Sequence, residues 1–514
     1  MRMIKTIILT MLTLWQATPA IAQHEDVEYD KNWYFGYSAM SGFPGVGINA
    51  MYFGNNGVSI YEGPTSFFDC ADTNISISDA DGNLIFYSNG AYVFDVGNTL
   101  MQGGDTLSPS QYTTDKYDTG HFIAQGIMAL PHPGNDNRWH LFHNYAAAGP
   151  PGYSVVAPEI FHSTIDMTLN NGFGAVDMAN DVILDSLYFR TNGRTAVRHA
   201  NGRDWWILFN EMNSDRYHRF ILEPTGLRFI DVTTFGSPIT HGLGQTIYSP
   251  DGSMLARLDS YDENEIAANI FEVDRCTGEL FNQVTISDNP GFSGGAAFSP
   301  NSRYLYTTNG ITVYQYDVWA DDIAASGVMV AEYDGFTDPE WFVPTYFYAM
   351  QLAPDNKIYI TTTNSSTYMH VIHAPDSAGM ACNLEQHGVQ FPFLQRSMPN
   401  NPYYKLGRLV GSPCDTVYTL TAIEEPAISE PVISLYPNPT RGEVQINVAS
   451  PAYIGDRLVF ELYDLSGKRL RSLSITSSYP TVDLSQLPAG VYIGRISAAS
   501  GKVLHTEKIV SLQD

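Results

Sequence analysis

The sequence predicts an all-β protein, a seven-bladed β-propeller followed by a small antiparallel β-sandwich, on three observations. The 514 residues include 43 Gly, 29 Pro, 32 Tyr and 26 Phe but only 16% charged residues, a composition typical of turn-rich β proteins. A turn motif recurs about every 50 residues through the central region. Short runs of alternating apolar and polar residues then fill the last part of the chain, as expected for antiparallel strands.

The N terminus predicts a secretory signal peptide over residues 1–22. Arg2 and Lys5 precede an apolar stretch from Ile7 to Trp15, and small residues stand just before Gln23. This stretch is shorter than the roughly 20 apolar residues that a membrane-spanning helix needs. We therefore expect export and no transmembrane segment.

The central region, residues 30–418, carries a repeated hairpin signal. An Asp or Asn, often followed by a second turn former, separates two apolar runs, as in YSPDGSMLARL and FSPNSRYLY. Six such hairpins at the spacing of one four-stranded blade, plus a composite blade built from both chain ends, predict seven blades, with six as the alternative. The six turn residues are Asp81, Asn135, Asn201, Asp251, Asn301 and Asp355.

Several strings in this region carry a family resemblance. SPDG and SPNS followed by a strand resemble the repeats of WD40-like and TolB-type propellers. WYFG, ISDADGNLIFYSNG, DRCTGEL and PNNPYYKLGRLVGSPCDT resemble a propeller family carried by secreted Bacteroidetes proteins. The resemblance implies the fold over about residues 30–418 and implies no particular activity.

Residues 432–514 contain three ordered blocks of short strands, beginning ISLYPNPTRGEVQINV, LVFELYDLSGKRL and LPAGVYIGRI. The blocks resemble the type A C-terminal sorting domain of the type IX secretion system of Bacteroidetes. The resemblance implies the type IX secretion machinery as a partner, and a destination at the outer cell surface or in the medium. The Glu- and Pro-rich residues 421–431 predict an extended linker in which the sorting domain would be removed.

Charge and cysteine content narrow the function classes. The net charge of -27 repels phosphate backbones and anionic lipids, so we expect neither nucleic acid nor a membrane surface as a direct partner. An even number of cysteines in an exported chain favours one or two disulfides, although three pairings stay open and free buried thiols are the alternative. The cysteines are Cys70, Cys276, Cys382 and Cys414, and none forms a Cys-x-x-Cys motif.

No catalytic motif stands in its proper context. Residues 291–295 match G-x-S-x-G by letter, but the string leads into a propeller strand where that motif requires a strand-to-helix turn. His140 and His143 are three residues apart, so on a strand they face opposite ways and do not share a metal. We therefore predict no catalytic residue.

Calcium is the only cofactor that the sequence suggests. Asp79, Asp81 and Asn83 place hard oxygen ligands at alternate positions, which is the pattern that Ca²⁺ prefers. The string is shorter than a full calcium loop and also serves as a hairpin turn, so a turn role is the alternative. The acidic residues 259–265 raise the same possibility.

An aromatic segment is the best candidate for ligand binding. PEWFVPTYFY, residues 339–348, contains two prolines and is therefore loop-like. Its aromatic side chains offer a platform for a glycan or protein at one end of the propeller, while packing between blades is the alternative. The candidates are Trp341, Phe342, Tyr346 and Tyr348. We expect a binding or adhesion module, and the alternative is an extracellular hydrolase with carboxylates on its loops.

Overall fold

The computed structural model divides the chain into two compact units, Met1–Val417 and Tyr418–Asp514. The structure describes twelve ranges of the chain. These are residues 21–38, 42–64, 68–70, 72–149, 155–238, 244–260, 266–287, 294–415, 432–449, 458–475, 480–498 and 503–512. The predicted linker at 421–431 lies outside them, as do residues 1–20 of the predicted signal peptide.

The described part of the first unit is built from seven successive antiparallel sheets, two of three strands and five of four, in which strands adjacent in the chain pair with each other. This succession of small meanders is that of a β-propeller, as predicted. In chain order the strands are β1 (Ile21–His24); β2 (Asn32–Gly36), β3 (Ile48–Gly54), β4 (Gly57–Glu62); β5 (Ile75–Ser78), β6 (Leu84–Ser88), β7 (Val93–Asp95); β8 (Ile127–His132), β9 (Asn135–Ala148), β10 (Val155–Asp166), β11 (Ala175–Leu184); β12 (Ala196–Arg198), β13 (Trp205–Asn210), β14 (Arg216–Glu223), β15 (Gly226–Thr234); β16 (Thr246–Tyr248), β17 (Met254–Ser260), β18 (Ile266–Asp274), β19 (Glu279–Ile286); β20 (Gly295–Phe298), β21 (Tyr304–Thr308), β22 (Thr312–Asp317), β23 (Val328–Glu332); β24 (Phe347–Leu352), β25 (Ile358–Thr362), β26 (Ser366–Ile372), β27 (Leu384–Gln395); and β28 (Leu406–Val410).

Helical structure in the described residues is slight. A short helix α1 (Gln111–Asp115) precedes β8, and single 3-10 turns occur at Asn170–Gly172, Ala324–Ser326 and Gly379–Cys382. No helix among the described residues has the length and apolar character needed to cross a membrane.

The six predicted turn residues lie where the hairpin signal placed them, at the junction between the first two strands of six successive sheets. In five of the turns the side chain of this residue accepts a backbone hydrogen bond, whereas in the first turn the acceptor is the carboxylate of Asp79. Asp251 Oδ1 accepts from the Ser253 N–H at 3.0 Å, and Asn301 Oδ1 accepts from the Arg303 N–H at 3.0 Å. The seven described sheets match the number that seven blades require, while the blade count of the closed ring stays a prediction.

The chain ends do not build the expected composite blade in the described residues. Strands β2, β3 and β4 all come from the N-terminal side, and β28 pairs instead with β1 in a separate two-stranded ladder. Cleavage before Gln23 would remove the first two residues of β1. The free edge of β2 is covered by side chains that precede or belong to β5: Ser76 Oγ accepts from the Tyr34 N–H and donates to the Asn32 carbonyl, and Asn74 Nδ2 donates to the Tyr34 carbonyl.

A C-terminal segment, residues 397–404, runs between the first strands of the sheets. The Asn400 N–H donates to the Asn74 carbonyl at 2.8 Å, and its Nδ2 donates to the carbonyls of Ile127 and Arg194, both at 2.8 Å. The Tyr404 hydroxyl donates a hydrogen bond to the Ala129 carbonyl at 2.9 Å. One segment therefore bonds three sheets and fills space that a propeller leaves open between its innermost strands.

Two more buried amides, Gln125 and Gln245, complete this arrangement, and we call Gln125, Gln245 and Asn400 the central hub. Gln125 Nε2 donates to Asn400 Oδ1 and to the Thr246 carbonyl, both at 3.1 Å. Gln245 Oε1 accepts from the N–H groups of Ala296 and Met350. Burying a polar group costs free energy unless it is hydrogen-bonded, and the hub side chains offset this cost by joining neighbouring sheets.

The apolar core lies between the sheets. Trp139 and Trp205 are almost fully buried, and both pack edge-on against the ring of Tyr404. Burying one such aromatic side chain contributes about 2 to 3 kcal/mol. The segment that carries the hub is thus held by aromatic packing as well as by hydrogen bonds.

The second unit is an antiparallel β-sandwich, as predicted. One sheet has the order β29-β30-β33 and the other β32-β31-β34-β35. Apolar residues at alternate strand positions, including Ile446, Phe460, Leu462 and Ile496, form one core between the sheets. The strands are β29 (Val432–Tyr436), β30 (Glu443–Ala449), β31 (Leu458–Tyr463), β32 (Arg469–Ile475), β33 (Thr481–Asp483), β34 (Gly490–Ser497) and β35 (Val503–Ser511).

Candidate ligand-binding surface

The loop between β23 and β24, residues 333–346, presents aromatic side chains to solvent, and we call it the aromatic loop. Phe342 is 81% exposed, more than any other large apolar side chain among the described residues. A single exposed apolar side chain is common on protein surfaces, and this ring is open to contact with a ligand. The structure therefore places one of the four predicted aromatic candidates fully at the surface.

A buried carboxylate holds the aromatic loop in shape. Asp338 Oδ1 accepts from the N–H groups of Glu340 and Trp341 at 3.0 and 3.2 Å. Its Oδ2 accepts from Ser366 Oγ and from the Thr367 N–H and Oγ1, at 2.9 to 3.1 Å. Burial alone raises the pKa of Asp338, but these hydrogen bonds to the charged form outweigh it, and the pKa lies below its ordinary value.

The backbone of the loop places Phe342 at a strained position. The Phe342 N–H donates to the Asp338 carbonyl at 2.8 Å, and the Asp338 N–H donates to the Val343 carbonyl at 2.9 Å. Within this turn Phe342 has φ 55°, a left-handed conformation that a bulky side chain rarely adopts. Such a conformation costs on the order of 1 kcal/mol. A strained backbone that exposes an apolar ring to water indicates a functional role for Phe342.

Trp341 lies at the base of the loop. Its ring rests against the backbone of Gly45, where a Cβ atom would come within 1.8 Å of Trp341 Cζ2. Gly45 also has φ +72°, so both the close approach and the backbone conformation require glycine here. The indole Nε1 is buried and has no hydrogen-bond acceptor among the described residues.

A second aromatic group continues the loop. Phe336 stacks on His387 of β27 with ring centroids 4.0 Å apart, and His387 Nε2 lies 2.9 Å from Asp334 Oδ2. Tyr346 packs edge-on against Tyr333 at 4.7 Å. Tyr346 is therefore half-buried by its neighbour and supports the loop more than it offers a free face.

Tyr348 lies elsewhere, at an end of the central hub. The Arg396 guanidinium lies 5.4 Å from the centre of its ring, and Arg396 Nε lies 3.2 Å from Asp72 Oδ1. Burial raises the pKa of the Tyr348 hydroxyl. The sequence grouped Tyr348 with the loop aromatics, whereas the structure assigns it to β24 and separates its surroundings from theirs.

Two nearly buried carboxyl groups near this end escaped the sequence reasoning. Burial raises the pKa of Asp69 to about 7, although its Oδ2 accepts from the Ser38 N–H at 3.1 Å. Burial also raises the pKa of Asp72 to about 6, against the opposing charge of Arg396. Nothing in the string FFDCAD signals this, because burial is set by residues distant in the chain.

The predicted calcium string forms a hairpin turn. Asp79 Oδ1 accepts from the N–H groups of Asp81 and Asn83 at 3.0 and 2.8 Å, and the Asn83 side chain donates to both carboxylate oxygens. These contacts occupy the oxygens that a cation would need. Within the described residues no three His, Cys, Asp or Glu side chains are grouped to hold a metal ion. Residues 261–265 of the second acidic string lie outside that part of the chain.

The histidines of β9 face opposite ways, as the strand geometry predicts. His140 Nδ1 lies 2.7 Å from His162 Nε2, whereas His143 lies between Ser108 Oγ and Ser163 Oγ at 2.7 and 2.9 Å. Burial lowers the pKa of His143 to about 3, so its ring is neutral. Residues 291–293 of the G-x-S-x-G string lie outside the described residues.

Comparison with known proteins identifies the second unit. Residues 434–511 match the family described as the secretion system C-terminal sorting domain. The second unit is a sorting domain. The protein is therefore exported by type IX secretion to the cell surface or the medium, and the secretion machinery is its partner. No curated protein matches the chain.

Solved structures resemble the chain only distantly. The periplasmic gluconolactonase of Pseudomonas aeruginosa is 14% identical with a TM-score of 0.38, over 74% of this chain and 99% of its own. A candidate 6-phosphogluconolactonase of Bacteroides fragilis is 15% identical with a TM-score of 0.32, over 59% and 80%. A candidate TolB protein of Agrobacterium tumefaciens is 12% identical with a TM-score of 0.30, over 54% and 87%. These likenesses are too distant to assign an activity.

Proposed function

We propose that the propeller is an extracellular binding module that attaches to a glycan through the aromatic loop. The observation that carries this proposal is Phe342, whose exposed ring is held at positive φ by hydrogen bonds to a buried aspartate. A rigid aromatic ring binds an apolar sugar face at little cost in conformational entropy. The loop is thus prepared for a ligand before the ligand arrives.

The polar groups of the loop suit sugar hydroxyls. Asp334 and Glu340 are exposed carboxylates that accept hydrogen bonds. With a net charge of -27, the protein repels anionic polymers, so a neutral glycan fits best. A protein ligand is the competing outcome.

A glycan array with the full chain tests this proposal. We expect Phe342→Ala to weaken binding at least tenfold, because it removes the exposed ring and no core contact. Phe281→Ala is the matched control, since Phe281 is a 44% exposed phenylalanine on β19 of another sheet. Equal binding by both variants contradicts the proposal, and binding only to proteins replaces the glycan by a protein ligand.

The second candidate function is an extracellular hydrolase that uses Asp69 and Asp72. Buried carboxyl groups with raised pKa values are a feature of acid and base catalysts, and these two are three positions apart in the chain. Turnover in a glycosidase and peptidase panel, abolished by Asp72→Asn and unaffected by Phe342→Ala, would favour this function over binding.

We also propose that the sorting domain is removed within residues 421–431. The Glu- and Pro-rich composition of that stretch supports an extended, accessible chain. Mass spectrometry of the exported protein should find a C terminus in this range, and an exported form that ends at Asp514 contradicts the proposal.

A further inference from the structure

Two of the four cysteines meet at the surface of the first unit. Cys276 lies in the turn between β18 and β19, and Cys414 follows β28. Cys276 Sγ lies 3.7 Å from Ser412 Oγ, and the Cys414 N–H donates to the same oxygen at 3.2 Å. The two cysteines therefore share one hydroxyl neighbour although they are far apart in the chain.

The backbone around both cysteines is fixed by contacts that do not involve sulfur. The Leu409 N–H donates to the Ala200 carbonyl, and the Ala200 N–H donates to the Arg275 carbonyl, at 2.8 and 2.9 Å. Arg275 also donates to the Gly407 carbonyl. The turn that holds Cys276 is thus hydrogen-bonded to the segment that leads to Cys414 in two ways. Arg275 contacts Gly407 directly, and Ala200 bridges Arg275 and Leu409.

The other two cysteines have no such neighbour. Cys70 is 1% exposed and lies 3.2 Å from the Gly36 carbonyl, while Cys382 is fully buried in a different core cluster. Cys276 and Cys414 are only half-buried, so an oxidant can reach them. All four are free thiols in this structure.

We infer that Cys276 and Cys414 form a disulfide in the exported protein. One thiol, as thiolate, attacks the disulfide of an oxidised dithiol protein or of oxidised glutathione, and a mixed disulfide forms. The second thiol then attacks that mixed disulfide. The new S–S bond forms, two protons and two electrons leave the cysteine pair, and the oxidant is reduced to its two thiols.

The thiol chemistry agrees with this assignment. Burial raises the pKa of Cys414, and its hydrogen-bond contact with the Cys276 side chain raises it further, so the two side chains are in contact. The bond would close a long loop of the chain and fasten the segment that carries Asn400 and β28 to the fifth sheet. Because Cys414 precedes the linker at 421–431, this fastening persists after the sorting domain is removed.

Mass spectrometry of the full chain tests the inference. Reduced protein is treated with oxidised glutathione, alkylated under denaturing conditions and digested without reductant. We expect one cross-linked peptide pair that joins Cys276 to Cys414, with a loss of about 2 Da for the two hydrogens. Cys70 and Cys382 should be alkylated. A different pairing, or alkylation of all four cysteines, overturns the inference.

A melting experiment separates the bond from any folding defect of a variant. The wild-type protein should melt several degrees higher after oxidation than after reduction. The variant Cys414→Ser should show no difference between the two treatments, whatever its absolute Tm. A difference that persists in Cys414→Ser overturns the inference, because another oxidation would then cause it.

Discussion

The central hub and the aromatic loop both depend on a buried polar side chain, but the two side chains have different roles. One holds sheets together, and the other holds a surface loop in shape. Asn400 donates hydrogen bonds to three sheets and fills the middle of the propeller. Asp338 accepts hydrogen bonds that fix one loop, and this loop exposes the Phe342 ring to water. The comparison teaches that a buried polar group whose hydrogen bonds are made does not by itself mark a functional site. What it holds in place decides its role.

The largest effect should come from the hub. Asn400→Ala leaves the carbonyls of Ile127 and Arg194 buried without their donor, and we expect the free energy of unfolding to fall by about 3 kcal/mol. All seven Trp residues precede Phe342 in the chain, so Trp fluorescence in a urea titration reports on the first unit.

Asn401→Ala is the matched control for the hub. Asn401 is equally buried, but its side-chain oxygen and nitrogen have no hydrogen-bond partner among the described residues. Its replacement should cost less than 1 kcal/mol, because no partner is orphaned. Equal losses for the two variants would show that the hydrogen bonds of Asn400 do not hold the sheets together.

The loop aspartate should have a smaller effect that depends on pH. Asp338→Asn weakens the acceptor for five donors, and we expect a loss of about 2 kcal/mol at pH 7. The folded-state pKa of Asp338 is lowered, so its contribution is present above the unfolded value of about 3.9 and is lost as pH falls through the folded pKa.

The difference between the wild-type protein and Asp338→Asn should therefore narrow below about pH 4, where the unfolded chain takes up a proton at this position first. Urea titrations at pH 7, 5 and 3 measure it. A difference that stays constant with pH would mean that the carboxylate charge does not hold the loop.

Replacement of the exposed Phe342 ring should raise the free energy of unfolding, whereas the preceding substitutions lower it. Phe342→Gly removes the positive-φ strain, so we expect a gain in unfolding free energy of about 1 kcal/mol. Glycan binding should fall at the same time. A loss of stability would show that the ring packs against the protein and is not kept for a ligand.

The smallest effect concerns the predicted calcium string. Asp79→Ala removes the acceptor that closes a hairpin turn and should cost about 1 kcal/mol. The cost should be the same with added Ca²⁺ and with chelator, because the carboxylate already bonds the turn. Stabilisation of the wild-type protein alone by Ca²⁺ would restore the calcium hypothesis.

The sequence predicts the hairpins well because turn chemistry is local. Asp251 and Asn301 cap their own turns with their own side chains, and a short string reveals this. The hub was missed because Gln125, Gln245 and Asn400 meet only after the sheets are arranged, although PNNP contains one of them. The composite blade was expected on general grounds, and side chains of β5 cover the edge of β2 instead.

The binding candidates show the same limit. Trp341, Phe342, Tyr346 and Tyr348 stand in one string, and the sequence separates neither exposed from buried rings nor loop from strand. The structure leaves Phe342 in water and Tyr348 on β24 beside Arg396. Asp338 carries no sequence signal, because its donors Ser366 and Thr367 lie on β26.

The most direct test of the central claim measures stability and glycan binding together for the wild-type protein and Phe342→Gly. The strained, exposed ring predicts that the variant unfolds at higher urea concentration and binds glycan at least tenfold more weakly. A variant that binds as well as the wild-type protein, whether or not it is more stable, would contradict the claim that the aromatic loop is the ligand-binding surface.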